Sequence, residues 1–112
     1  MPSPVKPYAA PIPVDTALSA AIDIADMVLC GVYLPSTFDG TTLGFTACDT
    51  ATGTFLTVRD GRNGAAVSYT VAASSYVALD PALFAGIRYI KLAPGTTQTT
   101  TSTAAVLSTR PL

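Results

Sequence analysis

Thr42-Leu43-Gly44-Phe45-Thr46-Ala47-Cys48 alternates with a period of two. Leu43, Phe45 and Ala47 project to one side, and Thr42, Thr46 and Cys48 to the other, because successive side chains of an extended strand point to opposite faces. One apolar side and one polar side mark a strand of a half-buried antiparallel sheet. Similar short runs flank it at Leu18–Asp23, Met27–Leu34, Thr54–Arg59, Val67–Val71, Tyr76–Leu79, Gly86–Leu92 and Ala104–Thr109. Between them stand the turn-forming pairs Asp39-Gly40, Asp60-Gly61, Asn63-Gly64 and Asp80-Pro81. About eight short strands with regular punctuation predict an all-β antiparallel sandwich or barrel. Met27–Leu34 is apolar on both sides, so it is expected to lie centrally, covered by the N-terminal segment, a loop or another subunit. The one helical turn expected is Asp80-Pro-Ala-Leu-Phe84, with Asp80 as N-cap and Pro81 at the first helical position.

The chain divides into an arm, residues 1–14, and a sandwich domain, residues 15–112. The arm, MPSPVKPYAAPIPV, holds five prolines among apolar residues. Proline fixes φ and removes an amide donor, so the arm is expected to be extended and to add little to the sandwich. Residues 94–103, PGTTQTTTST, read as an exposed polar loop. At 112 residues the chain buries roughly 65% of its unfolded surface, enough for one core but not for a second domain.

Composition narrows the chemistry. Charged residues make up 12%, against the ~25% usual for soluble domains, and 18 Ala, 17 Thr and 8 Ser replace them. There is no His and no Glu, which removes the commonest general base and the commonest metal ligand. A Ser-based nucleophile would have no His to accept its proton, and no G-x-S-x-G elbow is present. The seven aspartates are dispersed, without a D-x-[DN]-x-[DN]-G loop, and suit turn and cap duty. A non-enzyme without metal or cofactor is expected. The six basic residues are scattered and the net charge is −1, which argues against nucleic acid. No apolar run approaches the ~20 residues of a membrane span. The N-terminal stretch lacks a signal-peptide pattern, so use without export is expected. Cys30 and Cys48 are then expected to be reduced, buried thiols, a disulfide between them being the alternative. Arg59–Gly64 reads as a solvated turn, and Arg88 or Lys91 as a strand-edge charge that pairs with an aspartate such as Asp80 or Asp60.

The ordered series Leu43-Gly-Phe45, Phe55-Leu-Thr-Val58, Tyr76-Val-Ala-Leu-Asp80-Pro81 and Phe84-Ala-Gly-Ile-Arg88-Tyr-Ile-Lys-Leu92 resembles a family of small jelly-roll proteins of tailed bacteriophages. These sit on capsids as cement or decoration subunits. The series is also similar to discoidin-type, galactose-binding-like sandwiches, and the likeness covers roughly residues 15–93. Relatives often carry Trp after the Leu-Pro of the second strand, where this chain has Leu34-Pro35-Ser36-Thr37-Phe38. The resemblance implies a jelly-roll β-sandwich, made in the bacterial cytoplasm and placed on the capsid exterior. It also implies binding to the major capsid protein and self-association as a homotrimer.

Two functional classes follow. A capsid cement protein would use the arm, with Pro2, Pro4, Val5, Pro7, Tyr8, Pro11, Ile12 and Pro13 as contacts for a neighbour. A carbohydrate- or receptor-binding module of a tail or fibre would instead stack sugars on Phe38 and the five tyrosines. A head–tail connector or tube protein is a third possibility.

Overall fold

The computed structural model describes residues 5–24 and 27–109. Nine strands follow one another: β1 (Val5–Ile12), β2 (Ile22–Asp23), β3 (Val28–Tyr33), β4 (Thr42–Cys48), β5 (Leu56–Thr57), β6 (Ser68–Thr70), β7 (Tyr76–Ala78), β8 (Tyr89–Pro94) and β9 (Ser102–Thr109). They form two antiparallel sheets. One has the order β1-β9-β3-β7; the other runs β2-β8-β4-β5, with β6 also on β4. The pairing is nested: first strand with last, second with second-to-last, third with β7, and β4 with the two short strands that follow it. The ladders β3·β9 and β4·β8 join these pairs into sheets.

All eight expected strand regions contain strand, and β4 spans the residues expected of it. The helical turn is also present. Pro81–Leu83 form one 3-10 turn, and the Asp80 carboxylate accepts from the Ala82 N–H at 3.1 Å.

The N-terminal segment is extended, as expected, but it is part of the sandwich. β1 pairs with β9 at eight consecutive positions, from Val5↔Thr109 to Ile12↔Ser102. Directly opposite residues share a face, so Tyr8, Ala10 and Ile12 point inward with Val106, Ala104 and Ser102. Ala10 and Ile12 are wholly buried in the core, and Tyr8 packs against it. The expectation that this segment adds little to the sandwich is thereby corrected. Pro7 and Pro11 fit because they have the same parity, so their missing N–H groups face away from β9 and cost no ladder bond. The Pro11 carbonyl confirms that side, accepting instead from Ala20 N–H at 3.1 Å.

Between the sheets, Leu29, Val32 and Val106 meet Leu43, Phe45, Ile90 and Leu92, all at most 1% exposed. Phe84, just past the 3-10 turn, closes the core edge-on to Phe45 at 4.8 Å between ring centroids.

The polar stretch after β8 is also more ordered than its composition suggests. Gln98 is 0% exposed. Its Oε1 accepts from Asp39 N–H at 2.8 Å, and its Nε2 donates to the Asp39 and Thr96 carbonyls at 2.9 and 3.0 Å. Its backbone N–H donates to Thr16 O, and its carbonyl accepts from Asp15 N–H. One buried amide thus ties three connections together at one end of the sandwich. Beside it, the N–H and the hydroxyl of Thr99 both donate to Asp39 Oδ2, at 2.8 and 2.7 Å, and hold that carboxyl below its usual range.

Two outcomes follow from these contacts. Ile12→Ala is expected to destabilise the fold by about 2–5 kcal/mol in urea unfolding, as for other large-to-small core changes, whereas Pro13→Ala, at an exposed position, should leave it within about 0.5 kcal/mol. The lowered Asp39 carboxyl contributes stability that is present above the unfolded-state value of about 3.9 and is lost as pH falls below it. Asp39→Asn should therefore flatten the fall of the melting temperature with pH below about 4, measured by circular dichroism.

Candidate protein-contact face

The register that sends Tyr8, Ala10 and Ile12 inward sends their neighbours outward. On the outer side of the four-stranded sheet one row runs Ala9, Ala105, Tyr33, Tyr76 across β1, β9, β3 and β7. A second row contains Pro7, Gly31 and Ala78, and a third Pro11 and Thr103. No charged residue occupies any of these positions. The β1/β9 half of the face is small and the β3/β7 half carries two tyrosines.

Tyr33 and Tyr76 are 53% and 45% exposed, with ring centroids 4.6 Å apart and planes tilted by 49°. Tyr76 lies flat because residue 31 is glycine: a Cβ there would collide with the Tyr76 ring. Cys30 sits beside it as the extra residue of a β-bulge, since Leu29 and Gly31 pair with the consecutive residues Ser108 and Leu107. Burial raises the Tyr76 phenol above its ordinary value, with smaller contributions from Cys30 and Tyr33, and burial also raises the Cys30 thiol.

The other sheet presents a different outer side. There Thr42, Thr46 and Cys48 alternate with Ser68, Thr70, Thr57, Tyr89, Lys91 and Asp23. Lys91 Nζ lies 4.5 Å from the centre of the Phe55 ring, a cation–π contact. This is a surface suited to water.

The arm residues singled out in the sequence separate. Pro7 and Pro11 lie on the outer face. Tyr8 and Ile12 face inward, which takes Ile12 out of a partner's reach. Val5 opens β1, and Pro13 follows its end, exposed. Pro2 and Pro4 lie outside the described residues. Phe38 is 4% exposed and can stack on nothing outside the protein.

Cys30 and Cys48 are thiols, not a disulfide, and both are half-buried; the expectation of full burial is corrected. Arg88 pairs with Asp23, Nε to Oδ1 at 2.9 Å, and not with Asp80 or Asp60. Asp60 accepts from the Arg62 backbone and side chain inside the 60–64 turn, where Gly64 takes φ +74°. That turn is solvated, as expected. Among the described residues no three Cys or Asp side chains gather where a metal ion would be held, and no helix is long and apolar enough to cross a membrane.

Sequence reading missed the tyrosine pair. Tyr33 and Tyr76 end one run and begin another, and only the β3·β7 register places them side by side. Gly31, two residues before Tyr33 in an otherwise apolar strand, was the available signal.

No protein-family model matches the chain, and no curated protein or solved structure matches it significantly. The outer face therefore has to be interpreted from its own chemistry.

Gly31→Ala tests the stacking of this face. The fold should persist, because Tyr76 is a surface side chain able to swing aside. The Tyr76 phenol should then titrate closer to its ordinary value of about 10, followed by NMR of ring-labelled tyrosine.

Proposed function

We propose that this chain is a structural, non-catalytic subunit that decorates the capsid exterior of a tailed bacteriophage and binds its major capsid protein. The observation that carries the reading is the uncharged outer face of the four-stranded sheet. Apolar, aromatic-bearing surface that is continuous across four strands marks contact with another protein. The opposite sheet, with its threonines and Lys91, supplies the contrast.

The nested strand pairing supports a jelly roll. In that topology a long hairpin is rolled up, so that β1·β9, β2·β8, β3·β7 and β4 with β5 and β6 become neighbours, and alternate pairs fall in opposite sheets. This is the architecture implied by the resemblance of residues 43–92 to phage cement subunits. The part given to the N-terminal segment changes with its position. Pro7, Ala9 and Pro11 contribute as one border of the face and not as a separate arm.

A carbohydrate-binding module is the second reading, and the Tyr33–Tyr76 pair favours it, since exposed rings stack on sugars. The rows around the pair offer Thr103 but no carboxylate, amide or guanidinium to fix sugar hydroxyls, which weighs toward protein contact.

Shell binding tests the proposal. The full chain should co-sediment with shells assembled from the major capsid protein encoded beside it. The double variant Tyr33→Ser/Tyr76→Ser should bind at least about tenfold more weakly, the scale of losing central aromatic anchors. Undiminished binding by the variant, or no binding by the parent, would overturn it; glycan-array binding without shell binding would establish the second reading.

A further inference from the structure

We propose that the outer face of the four-stranded sheet takes a second copy of this chain, packed face to face about a two-fold axis. The inference rests on reading this face as a protein-contact surface and goes on to name the partner. Three observations lead to it.

The first is the distribution of size across the face. Along the row Ala9, Ala105, Tyr33, Tyr76 the side chains are small on β1 and β9 and large on β3 and β7. A two-fold axis lying between the two copies' sheets and parallel to the strands exchanges the two halves. It seats the partner's Tyr76 over Ala9 and the partner's Tyr33 over Ala105, and the reverse contacts form at the same time. Such a surface complements itself, as a two-fold interface requires.

The second is charge. Two faces whose rows carry no charged residue meet without repulsion and without burying an unpaired ion. A charged partner would have to leave its own ions unanswered there.

The third is geometry. The β1 edge lacks the N–H groups of Pro7 and Pro11 on its outward side, and the Pro11 carbonyl is taken by Ala20, so growth of the sheet by strand addition is blocked. Face packing remains. Four strands about 4.8 Å apart, with up to eight residues at about 3.4 Å each, give a face of roughly 500 Å². Two of them bury about 1,000 Å², where specific interfaces begin. Aligned sheets pack in this way about 10 Å apart. The assignment is a two-fold pair, where the family resemblance implies a trimer.

Sedimentation velocity over a wide concentration range tests it. The parent chain should approach twice 11.4 kDa. Ala9→Asp and Tyr76→Lys alter exposed side chains, so each should keep the parent's circular dichroism and melting temperature. Each alone should shift the dimer midpoint upward at least about tenfold. Mixed in equal amounts, the two variants should pair with each other, because the carboxylate introduced on β1 of one copy then faces the ammonium introduced on β7 of the other. A parent that is monomeric or trimeric at every concentration would overturn the proposal, as would a dimer indifferent to both substitutions or a mixture that does not pair. A monomer that still loses shell binding with Tyr33→Ser/Tyr76→Ser would overturn only the choice of partner and leave the contact face standing. A dimer that binds no shell would do the opposite.

Discussion

Strand β9 is gripped along both sides, by β1 and by β3, and the alternation of every residue in the four-stranded sheet follows from that double ladder. Val106 fixes the phase. It is fully buried and stands between Tyr8 and Val32, so all three face the core. A slip of one residue between β1 and β9 would turn Ile12 and Ala10 out to water and Pro11 and Ala9 inward. The penalty for exposing that core surface is what keeps the outer row of small residues and tyrosines in line. The face and the core are thus two sides of one register.

The ends of the sandwich are fastened by different means. At one end, a single buried glutamine gathers the connections after β1, β3 and β8 through five hydrogen bonds, leaving neither its amide oxygen nor its amide nitrogen unsatisfied. On the other sheet, Ser19 N–H donates to Leu92 O, and Ser19 Oγ accepts from Leu92 N–H, so a side chain stands in where β2 is too short to continue the ladder. Charged groups contribute at the periphery. The pairs Arg62–Asp60 and Arg88–Asp23 are exposed, and pairs of that kind contribute little to stability.

Where local chemistry decides the structure, the sequence was readable. β4 alternates without interruption, the Asp-Pro pair starts a helical turn, and Asn63-Gly64 marks a reversal, because each depends on a few adjacent residues. Where distant partners decide, it was not. The proline-rich N-terminal stretch has the composition of a free arm, and only the presence of β9 at its side makes it a strand, with its prolines on the edge that needs no donors. Gln98 stands among threonines and looks solvated until Asp39 arrives from the far side of the chain. The tyrosine pair belongs to the same class, since neither residue reveals its neighbour.

Nesting the first strand with the last has a kinetic consequence. During synthesis β1 leaves the ribosome first, and its partner leaves last. At ~5–20 residues per second that interval is on the order of 5–20 s, far longer than hairpin formation. Throughout it Ala10 and Ile12 have no sheet to cover them, and the central strand β3 lacks its main neighbour. Sheets built from such distant pairings also close slowly once complete, because the loop entropy must be overcome before any contact repays it. The proline spacing that closes the edge of the finished sheet is present in the nascent chain as well. An extended segment with a missing donor at alternate positions is a poor template for another nascent chain, so the same residues protect β1 while it waits for β9.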